Sequence, residues 1–148
     1  MFRSIVVGTD GSETAMKAVR EAAELAAKIG AGLELVSAYE PVATQRLKEE
    51  ARQVPQDLQW MVNPREEVDA TLRMATELVE GIGVTSVTVH AREGDPADAI
   101  LDVAEERDAD LIVVGNKGMT GAKRFLLGSV PNKVSHHAPC SVLIIRTS

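Results

Sequence analysis

The sequence is poor in cysteine, in aromatic residues and in long apolar runs, and each shortage excludes a class of protein. Cys140 is the only cysteine, so an internal disulfide is impossible and a reducing compartment suits the chain. Aromatic residues make up 3% of the sequence, which leaves few rings on which nucleic-acid bases could stack. No apolar run approaches the length of a membrane span, and the residues after Met1 show no signal-peptide pattern. We therefore expect a cytoplasmic protein with an aliphatic core.

Positive charge is also scarce, because the formal net charge is −6. An acidic chain without a basic stripe is a poor candidate for binding DNA or RNA. Lys117, Lys123 and Arg124 are close together in the sequence, so their charge suits a small anion better than a polymer. The length of 148 residues is enough for one domain with a sizeable core, and we expect residues 1–148 to form a single domain.

Apolar runs that are typical of buried strands alternate with segments of helical period. The helix signals include Asn63-Pro64 and Asp95-Pro96, each a capping residue followed by a proline at the first helical position. Residues 40–61 have no clear period and are read as a long irregular connection. The pattern predicts strands at 5–8, 33–39, 84–90, 111–114 and 142–145, and helices at 12–29, 63–82, from 95 onward, and 129–137.

This alternation predicts an α/β fold in which a doubly wound, five-stranded parallel sheet carries helices on both faces. Such sheets bind ligands beyond the carboxyl ends of the strands, where the strand order reverses. If the first and fourth strands are neighbours at that point, the loop that starts at Gly8 and the loop that starts at Gly115 meet there. The two most unusual stretches of the sequence would then lie at the ligand site.

The second of these stretches is rich in glycine and ends at a helix start. It reads Gly115-Asn116-Lys117-Gly118, then nine residues, then Gly128-Ser129. Glycine lets backbone N–H groups come close to a ligand, because it has no Cβ. The N-terminus of a helix adds N–H donors and a positive dipole end, which suit phosphate. We interpret the segment as a phosphate-binding loop of a nucleotide-binding domain.

Other nucleotide and catalytic motifs are absent from the sequence. There is no G-x4-G-K-(S/T) motif, and the first strand is not followed by G-x-G-x-x-G. No Ser, His and Asp set has the spacing of a nucleophile elbow. No obvious general base is placed to activate water, so binding is favoured over hydrolysis. His136 and His137 lack nearby ligands for a metal, and Cys140 is interpreted as a packing residue.

The residues quoted so far resemble the universal stress protein (UspA-like) family, in its ATP-binding branch. The resemblance covers nearly the whole chain and includes the motif G-x2-G-x9-G-(S/T) at 115–129. The other segments that carry it are IVVGTDGS at 5–12, GDPA at 94–97, ADLIVVG at 109–115 and APCSVLII at 138–145. It implies an adenine nucleotide alpha hydrolase-like fold with strand order 3-2-1-4-5. It also implies a stress-response role, ATP as the ligand, with or without Mg²⁺, and a homodimer.

The resemblance assigns roles at the site residue by residue. Asp10 is placed at the adenine and ribose end, although a capping box with Glu13 is an alternative role for it. Ser129 is expected both to cap the last helix and to bond phosphate, and Asn116 and Lys117 to reach phosphate oxygens. Backbone contacts to the nucleotide are expected from Gly8, Thr9, Ala38, Gly115, Gly118, Gly128 and Val130.

The sequence thus predicts an ATP-binding, nucleotide-dependent stress-response or signalling module with little or no catalysis. Two alternatives remain open, a cAMP-binding protein of the same fold and a slow ATPase. The fifth strand would be an exposed apolar sheet edge in a monomer, and such edges invite pairing. We therefore expect a homodimer that pairs through Val142, Leu143, Ile144 and Ile145, and neither a nucleic acid nor a membrane as a partner.

Overall fold

The fold is described from a computed structural model over residues 1–39, 65–116 and 128–147. None of the helices in these ranges is long and apolar enough to cross a membrane. The ranges contain five strands and four helices in the order β1 (Ser4–Gly8), α1 (Glu13–Ile29), β2 (Gly32–Tyr39), α2 (Arg65–Ile82), β3 (Val87–Glu93), α3 (Pro96–Glu106), β4 (Leu111–Gly115), α4 (Ser129–His137) and β5 (Ser141–Ile145).

The five strands form one parallel sheet in the order β3-β2-β1-β4-β5. The predicted strand order is therefore confirmed. In the centre of the sheet, Ile5 lies opposite Leu111 and Val7 opposite Val113. These four side chains are almost completely buried, as expected for the middle of a sheet that is covered on both faces.

The two faces of the sheet carry separate cores because successive side chains of a strand point to opposite faces. Ile5 and Val7 belong to the core under α1 and α2. Val6 and Val114 belong to the core under α3 and α4. The helices contribute apolar residues at helical spacing, which for α1 are mostly alanines, so the helix lies close to the sheet.

The helix ends follow local chemistry that the sequence shows. Ser12 caps α1 by accepting a hydrogen bond from the Ala15 N–H at 3.3 Å. Gly30 ends α1 in the left-handed conformation at φ 71°. Asp95 caps α3 through the Asp98 N–H at 3.1 Å, with Pro96 at the first helical position, as predicted.

The third strand begins later than predicted, at Val87 and not at residue 84. Gly83 and Val84 donate their N–H groups to the carbonyl of Val79, so both residues still complete the end of α2. Val84 is buried at this helix end. Its apolar side chain therefore resembles the first residue of a buried strand in the sequence. Pairing with β2 starts only where the Leu33 N–H donates to the Ser86 carbonyl.

Two glycines lie near the end of α2, and only the second lies beyond the helix. Gly81 lies inside the last turn, and the helix ends at Ile82. Gly83 then adopts φ 118°, which a residue with a side chain rarely reaches. The predicted cap Asn63, Pro64 and the connection at 40–61 lie outside the described residues.

Asp110 ties the chain start to the beginning of β4. Its carboxylate accepts the Arg3 N–H at 2.8 Å and the Ser4 N–H at 3.0 Å. Partial burial raises the pKa of Asp110, but these backbone hydrogen bonds outweigh it and hold the pKa below its ordinary value. The ionised carboxylate thereby stabilises the first residues of β1 beside β4.

We expect Asp110→Ala to lower the free energy of unfolding by about 1–2 kcal/mol at pH 7, because charge-assisted hydrogen bonds are lost. The pKa of Asp110 is lower in the folded state than in the unfolded state, where it is roughly 4. The stability that Asp110 contributes is therefore fully present above about pH 4 and is lost as the pH falls through the folded-state pKa. The difference from wild type should therefore shrink towards pH 3. Urea unfolding at pH 7 and at about pH 3 measures this difference in the free energy of unfolding. Glu24→Ala, at an exposed position of α1, is the control. An equal difference at both pH values contradicts the assignment.

Candidate functional site

A cleft opens at the carboxyl ends of β1 and β4, where the strand order reverses. The centre of a water molecule can occupy about 20 Å³ of it, and its empty volume is about 340 Å³ when the open solvent at its mouth is included. The first turns of α1 and α4 and one side chain of α3 close its sides. Its lining is formed by Gly8, Thr14, Ala15, Ala18, Ile100, Val114, Gly115, Val130, Pro131 and Thr147.

Three of the predicted site residues, Gly8, Gly115 and Val130, lie in this lining. They come from the end of β1, the end of β4 and the start of α4, so the fold brings together segments that are far apart in the sequence. Most other lining side chains are small and apolar. The walls are thus suited to a flat, largely apolar group, with backbone groups left to supply polar contacts.

The N-terminus of α4 lies at one wall of the cleft and offers two backbone donors. Gly128 is the N-cap and donates its own N–H to the Asn116 carbonyl at 3.1 Å. Pro131 has no N–H, so the N–H groups of Ser129 and Val130 are the first-turn donors without a partner inside the helix. The same end of the helix carries the positive part of its dipole, which favours an anion.

The predicted capping role of Ser129 is wrong. Ser129 is the first helical residue, and the N-cap Gly128 makes no side-chain capping bond. The serine side chain is exposed beside the cleft and does not hold the helix end. Its hydroxyl is therefore available to a ligand that reaches the helix N-terminus.

The loop after β1 is held by its own hydrogen bonds. Thr9 is fully buried and donates its N–H to the Val36 carbonyl at 2.9 Å, while its hydroxyl oxygen accepts the Gly11 N–H at 3.0 Å. The Thr9 N–H is thus already bonded to β2 and is not available to a ligand. Only its carbonyl is left for the backbone contact that the sequence predicts.

Asp10 does not cap α1 through a capping box, since Ser12 is the cap. One Asp10 carboxylate oxygen instead accepts the Ser12 N–H at 2.8 Å. The residue is half-buried, and its second oxygen has no hydrogen-bond partner among the described residues. A ribose hydroxyl is a donor that such an oxygen could accept.

Gly11 has a structural reason to be glycine. Its φ is 83°, and a Cβ at this position would lie 2.9 Å from the Thr71 side-chain oxygen. The loop after β1 therefore packs directly on α2, and a larger residue would push the two apart. This contact fixes the position of Asp10, which precedes Gly11.

The remaining predicted site residues do not line the cleft or lie outside the described residues. Ala38 is buried near the end of β2, under α3 and α4. Asn116 follows β4, and its side-chain oxygen is occupied by Thr147 at 2.9 Å. Lys117 and Gly118, together with the cationic residues Lys123 and Arg124, lie outside the described residues.

Thr147 is the lining residue that the sequence gives least reason to expect. It is 4% exposed although it lies after the end of β5, outside any helix or strand. No motif or period marks it. Ala15 and Ala18 of α1, by contrast, belong to its apolar face, and small residues there could have indicated a close approach.

A charged cluster beside the cleft joins the starts of α3 and α4. The Lys133 amine lies 2.8 Å from the Asp98 carboxylate and 3.4 Å from that of Asp95. The hydrogen bond to Asp98, together with the two carboxylate charges, raises the pKa of Lys133 above its ordinary value. The ion pairs are solvent-exposed and orient the helices more than they stabilise them.

Cys140 is half-buried below the start of β5 and packs against the core of α3 and α4. Burial raises the pKa of its thiol, and the charge of Asp110 adds to this effect. The reactive thiolate is therefore disfavoured, as the packing interpretation requires. In the described part of the chain, no three His, Cys, Asp or Glu residues are grouped as metal ligands.

Comparison with known proteins gives the same family over the same residues. The model of the universal stress protein family matches residues 1–146. Universal stress protein Rv1636 of Mycobacterium tuberculosis is 37% identical over 147 residues, which are 99% of this chain and 98% of that protein.

Two solved structures resemble the fold and carry nucleotides. A universal stress protein in complex with cAMP is 33% identical, with a TM-score of 0.74 and coverage of 99% of this chain and 98% of that one. The universal stress protein from Archaeoglobus fulgidus in complex with dAMP is 28% identical, with a TM-score of 0.69 and coverage of 98% of both chains. The chain belongs to the universal stress protein family.

Proposed function

We propose that this protein binds ATP, with or without Mg²⁺, in the cleft between β1 and β4. In this proposal it is a cytoplasmic, nucleotide-dependent stress-response module with little or no catalysis, and residues 1–148 act as one domain. The observation that carries the proposal is the position of the two α4 donors, Ser129 and Val130. Val130 lines the cleft that the ends of β1 and β4 form, and Ser129 precedes it as the first residue of α4.

The polar and apolar parts of the site match the two parts of a nucleotide. Backbone N–H groups at a helix N-terminus suit phosphate oxygens. The small apolar side chains around Ala15 and Ile100 suit a flat ring better than a charged group. The half-buried carboxylate of Asp10 is suited to accept hydrogen bonds from ribose hydroxyls.

The lining favours binding over hydrolysis. None of the described residues that line the cleft carries a carboxylate or an imidazole, the usual groups that activate water. Asp10 is the carboxylate of the β1 loop, and one of its oxygens is committed to the Ser12 N–H. A slow ATPase therefore remains the less favoured alternative.

Ser129→Pro is expected to weaken ATP binding by removing one backbone donor while keeping the helix. Proline is well tolerated at the first helical position, and the preceding Gly128 already has the extended conformation that proline requires, at φ −63° and ψ 169°. We expect Kd to rise about tenfold, which corresponds to the loss of about 1.4 kcal/mol. Calorimetric titration with ATP in the presence and absence of Mg²⁺ measures the change.

Ser129→Ala is the matched control, because it removes the hydroxyl and keeps the N–H. It should weaken binding less than Ser129→Pro. Circular dichroism verifies that both variants are folded. Equal ATP affinity in wild type and a folded Ser129→Pro variant would contradict the role of this donor, and no ATP binding by wild type would overturn the proposed ligand.

A cAMP-binding role is the second candidate, and the cAMP complex of a 33% identical relative favours it. Both ligands present adenine, ribose and a phosphate, so they should compete for one cleft. Displacement of a fluorescent ATP analogue separates the two roles. If ATP is the ligand, cAMP should displace the analogue only at concentrations far above those of ATP; the reverse order would assign the site to cAMP.

We also propose that two copies pair through β5, an edge strand of the sheet. Leu143 and Ile144 are 40% and 39% exposed, which is unusual for large aliphatic side chains on a strand. An exposed apolar edge offers both unpaired backbone groups and apolar area to a second copy. This partner agrees with the homodimer that the family resemblance implies.

Leu143→Lys should convert the dimer to a monomer, because it places two charges at the proposed contact. Sedimentation velocity over a range of protein concentrations measures the state. Val89→Lys is the control, since Val89 is 48% exposed on β3, the opposite edge of the sheet. A wild-type monomer, or dissociation by Val89→Lys alone, would rule out the β5 contact.

A further inference from the structure

Asn116 is the point at which three parts of the site meet. Its backbone N–H donates to the Ile145 carbonyl at 2.8 Å, and its backbone carbonyl accepts the Gly128 N–H at 3.1 Å. The residue thus connects the end of β4 to the end of β5 and to the N-cap of α4. Asn116 thereby helps to hold the start of α4, where the two backbone donors lie.

Thr147 holds the side chain of Asn116. Its N–H and its hydroxyl both lie within hydrogen-bond distance of the Asn116 side-chain oxygen, at 2.9 and 3.1 Å. Lys17 of α1 donates in turn to the Thr147 carbonyl at 3.3 Å. These bonds account for the burial of a residue that lies outside any helix or strand.

The bonds also settle which way the Asn116 amide is turned. A backbone N–H can only donate, so the amide atom that faces the Thr147 N–H must be the oxygen. The NH₂ group of Asn116 has no hydrogen-bond partner among the described residues and is the donor left on this side chain. Without Thr147, the amide could turn and present its oxygen, an acceptor, to an anion.

The methyl group of Thr147 explains the glycine at position 115. A Cβ on Gly115 would lie 3.1 Å from the Thr147 methyl carbon, which is closer than such contacts ordinarily are. Thr147 belongs to the short segment after β5, residues 146–147, which we call the tail. It therefore occupies the space that a side chain would need at the end of β4. Both residues line the cleft, so the tail forms part of its wall.

We propose that Thr147 is a positioning residue for the nucleotide site: through Asn116 it fixes an N–H donor and the start of α4 for phosphate, and nucleotide binding in turn holds the tail in place. This inference rests on the proposed nucleotide binding. The reciprocity is required by thermodynamics, because a tail that strengthens binding must itself be stabilised by the bound ligand to the same degree.

Thr147→Val tests the inference, since valine keeps the methyl contact and the N–H but removes the hydroxyl. We expect the Kd for ATP to rise about fivefold, within the usual range of such coupling. Thr147→Ser restores the hydroxyl and should bind ATP nearly as wild type does. Calorimetry measures the affinities, and melting temperatures show whether the variants stay folded.

Three further tests distinguish positioning from mere stability. Amide hydrogen exchange at residues 145–147 should slow when wild type binds ATP, and should slow less in Thr147→Val. Asn116→Asp keeps an oxygen for Thr147 but replaces the NH₂ donor with negative charge, so it should lose most ATP binding. Lys17→Met acts from the protein surface and should weaken ATP binding slightly even if Thr147→Val fails to fold.

The outcomes separate this inference from the function on which it rests. Weaker binding in Thr147→Val, recovery in Thr147→Ser and slower exchange of the tail with ATP would support it. ATP binding that is equal in wild type and in folded Thr147→Val and Lys17→Met, with unchanged tail exchange, would overturn the positioning role alone. No nucleotide binding by wild type would overturn both.

Discussion

The parallel pairing of β1 with β4 is the interaction on which the rest of the structure depends. The two strands are almost completely buried where they pair, and aliphatic side chains cover both of their faces. The sheet continues from β1 to β2 and β3 on one side, and from β4 to β5 on the other. The connections that leave β1 and β4 therefore diverge, and a cleft remains between them. Every part of the candidate site is positioned by this one divergence.

The small size of several lining residues shapes the cleft. Gly8, Ala15, Ala18 and Gly115 bring backbone close to the opening, because none of them has a side chain larger than a methyl group. Polar function then falls on main-chain groups at the start of α4. Rigidity comes from hydrogen bonds outside the cleft, above all those of Asn116 with Ile145, Gly128 and Thr147. The candidate site is thus built from small residues and supported by Thr147, which follows β5.

Local patterns predicted much of this protein, and their failures have physical reasons. The buried aliphatic runs, the Asp95-Pro96 helix start and the last helix at 129–137 were all predictable, since each depends on neighbouring residues. Val84 misled the strand prediction because burial at a helix end produces the same apolar residue as burial in a strand. Ser129 resembles a cap in sequence, but its neighbour Gly128 is the N-cap of α4, which only backbone angles and hydrogen bonds decide.

The sequence by itself determined the fold class, the family and the segments that meet at the cleft, because hydrophobic period and glycine spacing are properties of short stretches. Only the tertiary structure decided that the Thr9 N–H is bonded to β2, that Gly11 packs on α2 and that Thr147 lies against Gly115. These contacts join residues from different elements, and in the last case the two residues are 32 positions apart in the sequence. No local pattern encodes them, since the contacting residues become neighbours only when the crossovers have placed the strands side by side and the helices against them.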